Sequence, residues 1–235
     1  MTIRGNLEAV RESMRLACRR SGRAEDEVRL IAVTKFVEIA RIREAVEAGV
    51  TEIGENRAQE FTEKLNFYKQ NRLRAHFIGQ LQTNKVKYVC GKADLIQSVD
   101  REPLLDAILG YAGRNGIIQD ILIEVNIGRE AQKGGIAPEA LPVLLDRIAG
   151  SPQVRLRGLM CVPPAIEKEA VRPYFREMRT LFERVQREYP ELPIDTLSMG
   201  MSHDFDTAIE EGATIVRVGT AIFGPRIITG GKQNG

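Results

Sequence analysis

The chain has 235 residues, 43% of them hydrophobic and 28% charged, which is long enough to bury a large core in one α/β barrel domain. Its net charge of +2 is spread along the sequence, and Arg19-Arg20 with Arg23 is too short a basic cluster for a nucleic-acid stripe. No apolar run approaches the length of a membrane span.

Apolar positions at Leu7, Val10, Met14 and Ala17 or Cys18 predict a helix over 4–21, stopped by Gly22. Strands are predicted at 28–34, 51–54, 75–78, 94–98, 119–126, 155–161, 194–198 and 214–218. Helical patterns fall between them near 38–48, 56–70, 83–90, 101–114, 138–149, 167–188 and 203–211. Such alternation implies parallel strands joined by helical crossovers. An open doubly wound sheet and a closed (β/α)8 TIM barrel both satisfy it. Eight strands without a break favour the barrel. The missing G-x-G-x-x-G after the first strand weakens a dinucleotide-binding reading. One domain spanning 1–235 is expected, with 230–235 a frayed tail.

Other features narrow the setting. Cys18, Cys90 and Cys161 are odd in number and lack C-x-x-C spacing, which indicates a reducing cytoplasm. Arg4, Glu8, Arg11 and Glu12 occupy the region where a signal peptide needs apolar residues. The two histidines, His76 and His203, have no metal-ligand spacing. No apolar stripe is left over after packing, so a monomer is expected.

Barrels carry function at the C-terminal ends of their strands. Lys35 closes the first apolar run, on the same face as Ile31 and Val33. Alone it reads as a strand-end lysine reaching solvent. At a desolvated barrel mouth, its neutral amine could attack an aldehyde. Ser198-Met199-Gly200-Met201-Ser202 and Val218-Gly219-Thr220 follow the last two predicted strands. Barrels often bind phosphate in those loops, through backbone N–H groups and hydroxyls such as those of Ser202 and Thr220. Turn formation and capping are the alternative. Arg217 points inward with Ile215, and needs an acceptor. That acceptor is either a structural carboxylate, Glu52 or Glu124, or the unprotonated nitrogen of a ligand ring. Asn56 caps the next helix or reaches a ligand. His76 reads as a satisfied core histidine, and Lys133 alone as a surface lysine.

Several segments together resemble the pyridoxal phosphate homeostasis protein family, whose barrels are related to alanine racemase. They are Ala32-Val33-Thr34-Lys35, Gly54-Glu55-Asn56, the stretch from His76 to Lys85, Val125-Asn126-Ile127, Arg157-Gly158-Leu159-Met160, Ser198 to Asp204, and Val216 to Gly224. Phe36 departs from the small or polar residue usual after the lysine. The resemblance implies a TIM barrel with pyridoxal 5'-phosphate (PLP) held as a Schiff base on Lys35. It implies that Ser202, Gly219 and Thr220 hold the phosphate, with Met201 in the same binding set. Arg217 would face the pyridine nitrogen and Asn56 would lie beside the ring. Lys133 matches a family lysine near the cofactor, and His203 receives no role.

The function implied is a PLP carrier or buffer in vitamin B6 homeostasis and amino-acid balance, not an enzyme. Its partners would be PLP, free amino acids and PLP-dependent apoenzymes. A racemase of this kind needs a second base from a further domain, and no tyrosine follows Tyr189 to supply a phenol. The competing classes are a weak PLP-dependent racemase or lyase using Lys35, and a phosphate-binding barrel enzyme without PLP.

Overall fold

The structure is a computed structural model that describes residues 2–225. Its strands are β1 (Arg29–Val33), β2 (Glu52–Glu55), β3 (Arg74–Phe77), β4 (Leu95–Val99), β5 (Gln119–Val125), β6 (Val154–Cys161), β7 (Thr196–Met201) and β8 (Ile215–Val218). All pair in parallel, in sequence order, and β8 closes on β1. The fold class expected from the alternation is the one found. Residues 230–235, read as a frayed tail, lie outside the described residues.

Helix α1 (Ile3–Ser21) begins at Thr2, whose hydroxyl accepts the Gly5 N–H, and ends at Gly22 with φ +68°. It buries Leu7, Val10, Met14, Ala17 and Cys18. The crossover helices are α2 (Ile39–Glu47), α3 (Ala58–Gln70), α4 (Val86–Val89), α5 (Glu102–Asn115), α6 (Leu141–Ala149), α7 (Arg172–Glu188) and α8 (Phe205–Glu210). A further turn, α9 (Thr220–Phe223), follows β8 and escaped sequence analysis because four residues carry no period. The helix predicted at 83–90 starts as a 3-10 turn over Thr83–Lys85, leaving α4 a single turn.

Two apolar layers result. The larger core lies between the barrel and its helices. Ile31, Leu95, Leu122, Met160 and Ile215 form a separate cluster inside the barrel. This small plug fixes the inward parity of β1, β4, β5, β6 and β8, since side chains alternate. Gly54 makes room for it: a Cβ there would come within 2.9 Å of Ile31 Cγ2.

The main correction concerns the seventh strand, predicted at 194–198 and found at Thr196–Met201. Pairing with β8 slips between Ser198 and Met201, where Gly200 takes φ +90°. A glycine bulge lets the strand continue through a sequence that reads as a loop. The loop proper therefore starts at Ser202.

Candidate functional site

Lys35 stands just beyond β1. Thr34 N–H still pairs with Gly54 O at 3.0 Å, as a strand residue would. Val37 N–H then returns to Thr34 O at 3.0 Å, making a turn with Lys35 and Phe36 at its centre. Phe36 has φ +60°, a conformation strained for a bulky residue. Glu60 accepts its N–H at 2.8 Å, and the Arg57 guanidinium lies 4.5 Å over its ring. Lys35 is thereby held half-buried in a cavity of about 320 Å3 that Val33, Phe36, Arg41, Gly219 and Thr220 also line.

A buried clamp braces this turn from behind. Glu55 Oε1 accepts from Thr34 Oγ1 at 2.6 Å, Tyr68 OH at 2.7 Å and Lys64 Nζ at 2.8 Å. Lys64 Nζ also donates to Thr34 O at 2.8 Å. Both the hydroxyl and the carbonyl of Thr34 are thus tied to α3. Burial and the Glu55 charge push the Tyr68 phenol far above its usual range. Sequence analysis missed these residues. The one available signal was a polar pair at neighbouring strand ends, Thr34 just past β1 and Glu55 closing β2.

The ends of β7 and β8 meet beside Lys35. Ser202 Oγ accepts N–H groups from Gly219 at 3.1 Å and Ala221 at 3.3 Å. Its own O–H is left to donate elsewhere. Asp204 Oδ1 takes the Met201 N–H at 2.6 Å, which orders the loop. Thr220 is exposed and opens α9. Gly219 lets β8 pass close to β1, since a Cβ there would reach Val33 Cβ at 3.3 Å.

Arg217 is 4% exposed and points into the barrel, in register with Met201. Neither of the two carboxylates considered from the sequence forms an ion pair with it among the described residues. Its Nη1 donates to Ser198 Oγ at 2.6 Å and its Nη2 to Cys161 O at 2.8 Å. Glu52 instead faces His76 at 2.9 Å, Arg29 at 3.4 Å and Arg74 at 3.9 Å. Burial, together with the Asp100 charge, pushes the Glu124 carboxyl up to about 7, against the pull of Arg217.

Asn56 does not cap α3, whose N-cap is Arg57. Its Oδ1 is buried without a partner, against the turn where Gly79 allows close approach to its backbone. It lines a larger neighbouring cavity of about 700 Å3 with Phe77, Gln80 and Lys85. Lys35, Ser202, Gly219 and Thr220 are therefore brought together, Arg217 lies deeper, and Asn56 flanks them. Lys133 Nζ is occupied by Pro163 O at 2.9 Å and Glu130 Oε2 at 2.5 Å. His203 is exposed, and His76 is buried with both ring nitrogens near polar partners. Among the described residues there is no group of metal-ligating side chains, and no helix is long and apolar enough to cross a membrane.

Fold and site together define a parallel (β/α)8 barrel with a lysine, a hydroxyl-and-glycine cradle and a buried arginine at its mouth. The family model described as alanine racemase, N-terminal domain, matches residues 5–226. The pyridoxal phosphate homeostasis protein of Aquifex aeolicus is 51% identical over 221 residues, 94% of this chain and 96% of that protein. The protein of the same description from Escherichia coli K12 is 39% identical, over 95% of this chain and 97% of its own. The structure of PipY from Synechococcus elongatus PCC7942 with PLP bound superposes with a TM-score of 0.83 at 33% identity, over 95% of this chain and 100% of that one. The chain belongs to the pyridoxal phosphate homeostasis protein family.

Proposed function

We propose that this chain is a PLP-binding protein of vitamin B6 homeostasis, one barrel domain acting in the cytoplasm to hold and release the cofactor. PLP would be carried as a Schiff base on Lys35. The observation that carries this reading is the convergence of Lys35, Gly219 and Thr220 on one small cavity, with the Ser202 hydroxyl bonded to Gly219 and Arg217 two residues back along β8. PipY, a third identical in sequence, is described with PLP bound.

The residues fit the cofactor. When bound, PLP supplies an aldehyde that condenses with a primary amine and releases water. Lys35 provides the amine. The Ser202 O–H, the Thr220 hydroxyl and the short turn opening α9 suit a phosphate dianion. Arg217 donates but never accepts, so it faces a ring nitrogen that keeps its lone pair. That leaves the ring a weak electron sink, which favours carriage over turnover. The unpartnered Asn56 Oδ1 offers an acceptor at the ring's side. Free amino acids would compete with Lys35 for the aldehyde. PLP-dependent apoenzymes would take the cofactor on, and the carrier would work as a monomer. Amino-acid balance would follow from the supply of PLP to them.

The test is spectroscopic. PLP added to the purified protein should give a visible absorption band, which borohydride removes while fixing the label on the peptide containing Lys35. A label elsewhere would overturn the assignment. The second reading, a weak racemase or lyase, finds one support in Glu124. It lies on the inward face of β5 with Leu122 and retains a proton near neutral pH. Deuterium exchange at Cα of alanine in heavy water decides between the two. Negligible exchange supports the carrier. Rapid exchange with interconversion of L- and D-alanine, lost in Glu124→Gln, supports the enzyme.

A further inference from the structure

A polar chain crosses the barrel interior beneath Arg217. Arg217 Nη1 donates to Ser198 Oγ at 2.6 Å, and Ser198 Oγ donates to Gln97 Oε1 at 2.7 Å. Gln97 Nε2 lies 3.1 Å from His76 Nδ1, and His76 Nε2 lies 2.9 Å from Glu52 Oε2. Gln97, His76 and Ser198 are each at most 1% exposed. Gln97 sits on β4 and Ser198 on β7, which are not neighbours in the barrel, so this link spans its interior. Glu52 opens β2 at the opposite end from the mouth and is answered there by Arg29 and Arg74.

The chain runs in one direction, from Arg217 through Ser198 to Gln97. A guanidinium only donates. Ser198 Oγ therefore accepts from Arg217 and spends its single proton on Gln97 Oε1. That fixes the orientation of the Gln97 amide, whose N–H must point at His76 Nδ1. His76 then carries its proton on Nε2, 2.9 Å from Glu52 Oε2 in a contact that is not aligned as a hydrogen bond. Burial pushes the imidazole pKa down against the pull of Glu52, and so favours this neutral form. Burial likewise pushes up the Glu124 carboxyl on β5, the Cys161 thiol on β6 and the Asp204 carboxyl just past β7, the charged or ionisable groups that act on Arg217. None of these three receives a hydrogen bond from Arg217 through its side chain, while Ser198 does.

We propose that Ser198, Gln97 and His76 are positioning residues for Arg217, forming a one-way hydrogen-bond chain that ends at His76, beside Glu52, and fixes the guanidinium pose and its donor direction toward the ligand ring. The proposal rests on the PLP-binding reading for its consequence, but the chain itself exists without ligand. Two bonds hold the guanidinium, Nη1 to Ser198 Oγ and Nη2 to Cys161 O. Breaking the chain at Gln97 touches neither Arg217 nor any ligand directly. It frees Ser198 to turn its proton elsewhere and releases the arginine to tilt.

The experiment uses the full chain in two forms. With PLP bound, Gln97→Leu should keep the far-ultraviolet circular dichroism and the borohydride label on Lys35. The pH midpoint of the visible band should move by about one unit, equivalent to about tenfold in the proton affinity of the Schiff-base nitrogen conjugated to the ring. Ser198→Ala should give a similar shift, and the double variant no more than either alone, because both break one chain. Superimposable titrations, or shifts that add, would overturn the proposal. Without PLP, 15N spectra of the unsubstituted protein read the histidine tautomer, even if Gln97→Leu fails to fold. Only His76 and His203 contribute, so His203→Asn assigns them. A pyridine-type Nδ1 and a protonated Nε2 between about pH 6 and 8 are expected. A proton on Nδ1, or an imidazolium, would overturn the chain. A parent protein that gives no visible band with PLP would instead sink the PLP reading, and leave the tautomer result standing.

Discussion

The Ser202 hydroxyl oxygen, just past β7, accepts the Gly219 N–H, just past β8, over 3.1 Å. One side chain thus ties the end of β7 to the end of β8, the strand that pairs with β1, and keeps its own proton to donate. Losing one charge-assisted hydrogen bond costs about 1.5–3 kcal/mol, or roughly one to two decades in affinity. Ser202→Ala and Thr220→Val should each weaken PLP binding by about that much. Pyridoxal, which lacks the phosphate, should be affected far less. Fluorescence titration with both ligands checks this, and equal losses would show that the cradle does not touch phosphate.

The backbone turn around Lys35 is closed by Val37 N–H on Thr34 O. Lys35→Ala should keep the far-ultraviolet circular dichroism of the parent, yet give no visible band with PLP. An unchanged spectrum would move the attachment to another lysine, Lys133 first.

The buried clamp makes a sharper demand on stability. Lys64→Met leaves the Glu55 carboxylate buried without its cation, which typically costs about 3–5 kcal/mol. Adding Glu55→Gln removes the stranded charge and should restore part of the loss. Urea unfolding of the three variants measures both effects. PLP affinity should fall in the single variant too, because Lys64 also holds the carbonyl that closes the Lys35 turn.

Glu124 gives a pH dependence of defined sign. Its folded pKa is raised to about 7 from an ordinary value of 4.5, so the folded chain binds a proton that the unfolded chain has lost. Stability from this group is complete below about pH 4.5 and declines as pH rises to about 7. At about 1.4 kcal/mol per unit, the decline over these 2.5 units is about 3.5 kcal/mol. Glu124→Gln should remove it, so the variant gains on the parent as pH rises from 5 to 8. Parallel stability profiles over that range would place Glu124 in contact with solvent or a cation.

The sequence by itself determined the alternation of strands and helices, and with it the barrel. Apolar runs of strand length separated by helical periods leave few topologies, and closure gives every strand two partners. It also marked Lys35, Ser202, Gly219 and Thr220, because parallel barrels collect strand ends at one mouth and small or hydroxyl residues there are visible in one dimension. Asn56 stayed ambiguous between cap and ligand until the start of α3 at Ala58 excluded the cap. Only the tertiary structure decided what Arg217 touches. Carboxylates at Glu52 and Glu124 satisfied its charge equally well on paper. Side-chain parity and the stagger of the closed barrel instead brought Ser198 to it, and set Glu52 at the far end against His76. Periodicity reports which face of a strand a residue occupies. Which residue lies opposite, across a barrel interior, depends on the curvature and shear of closure, and these are properties of all eight strands together.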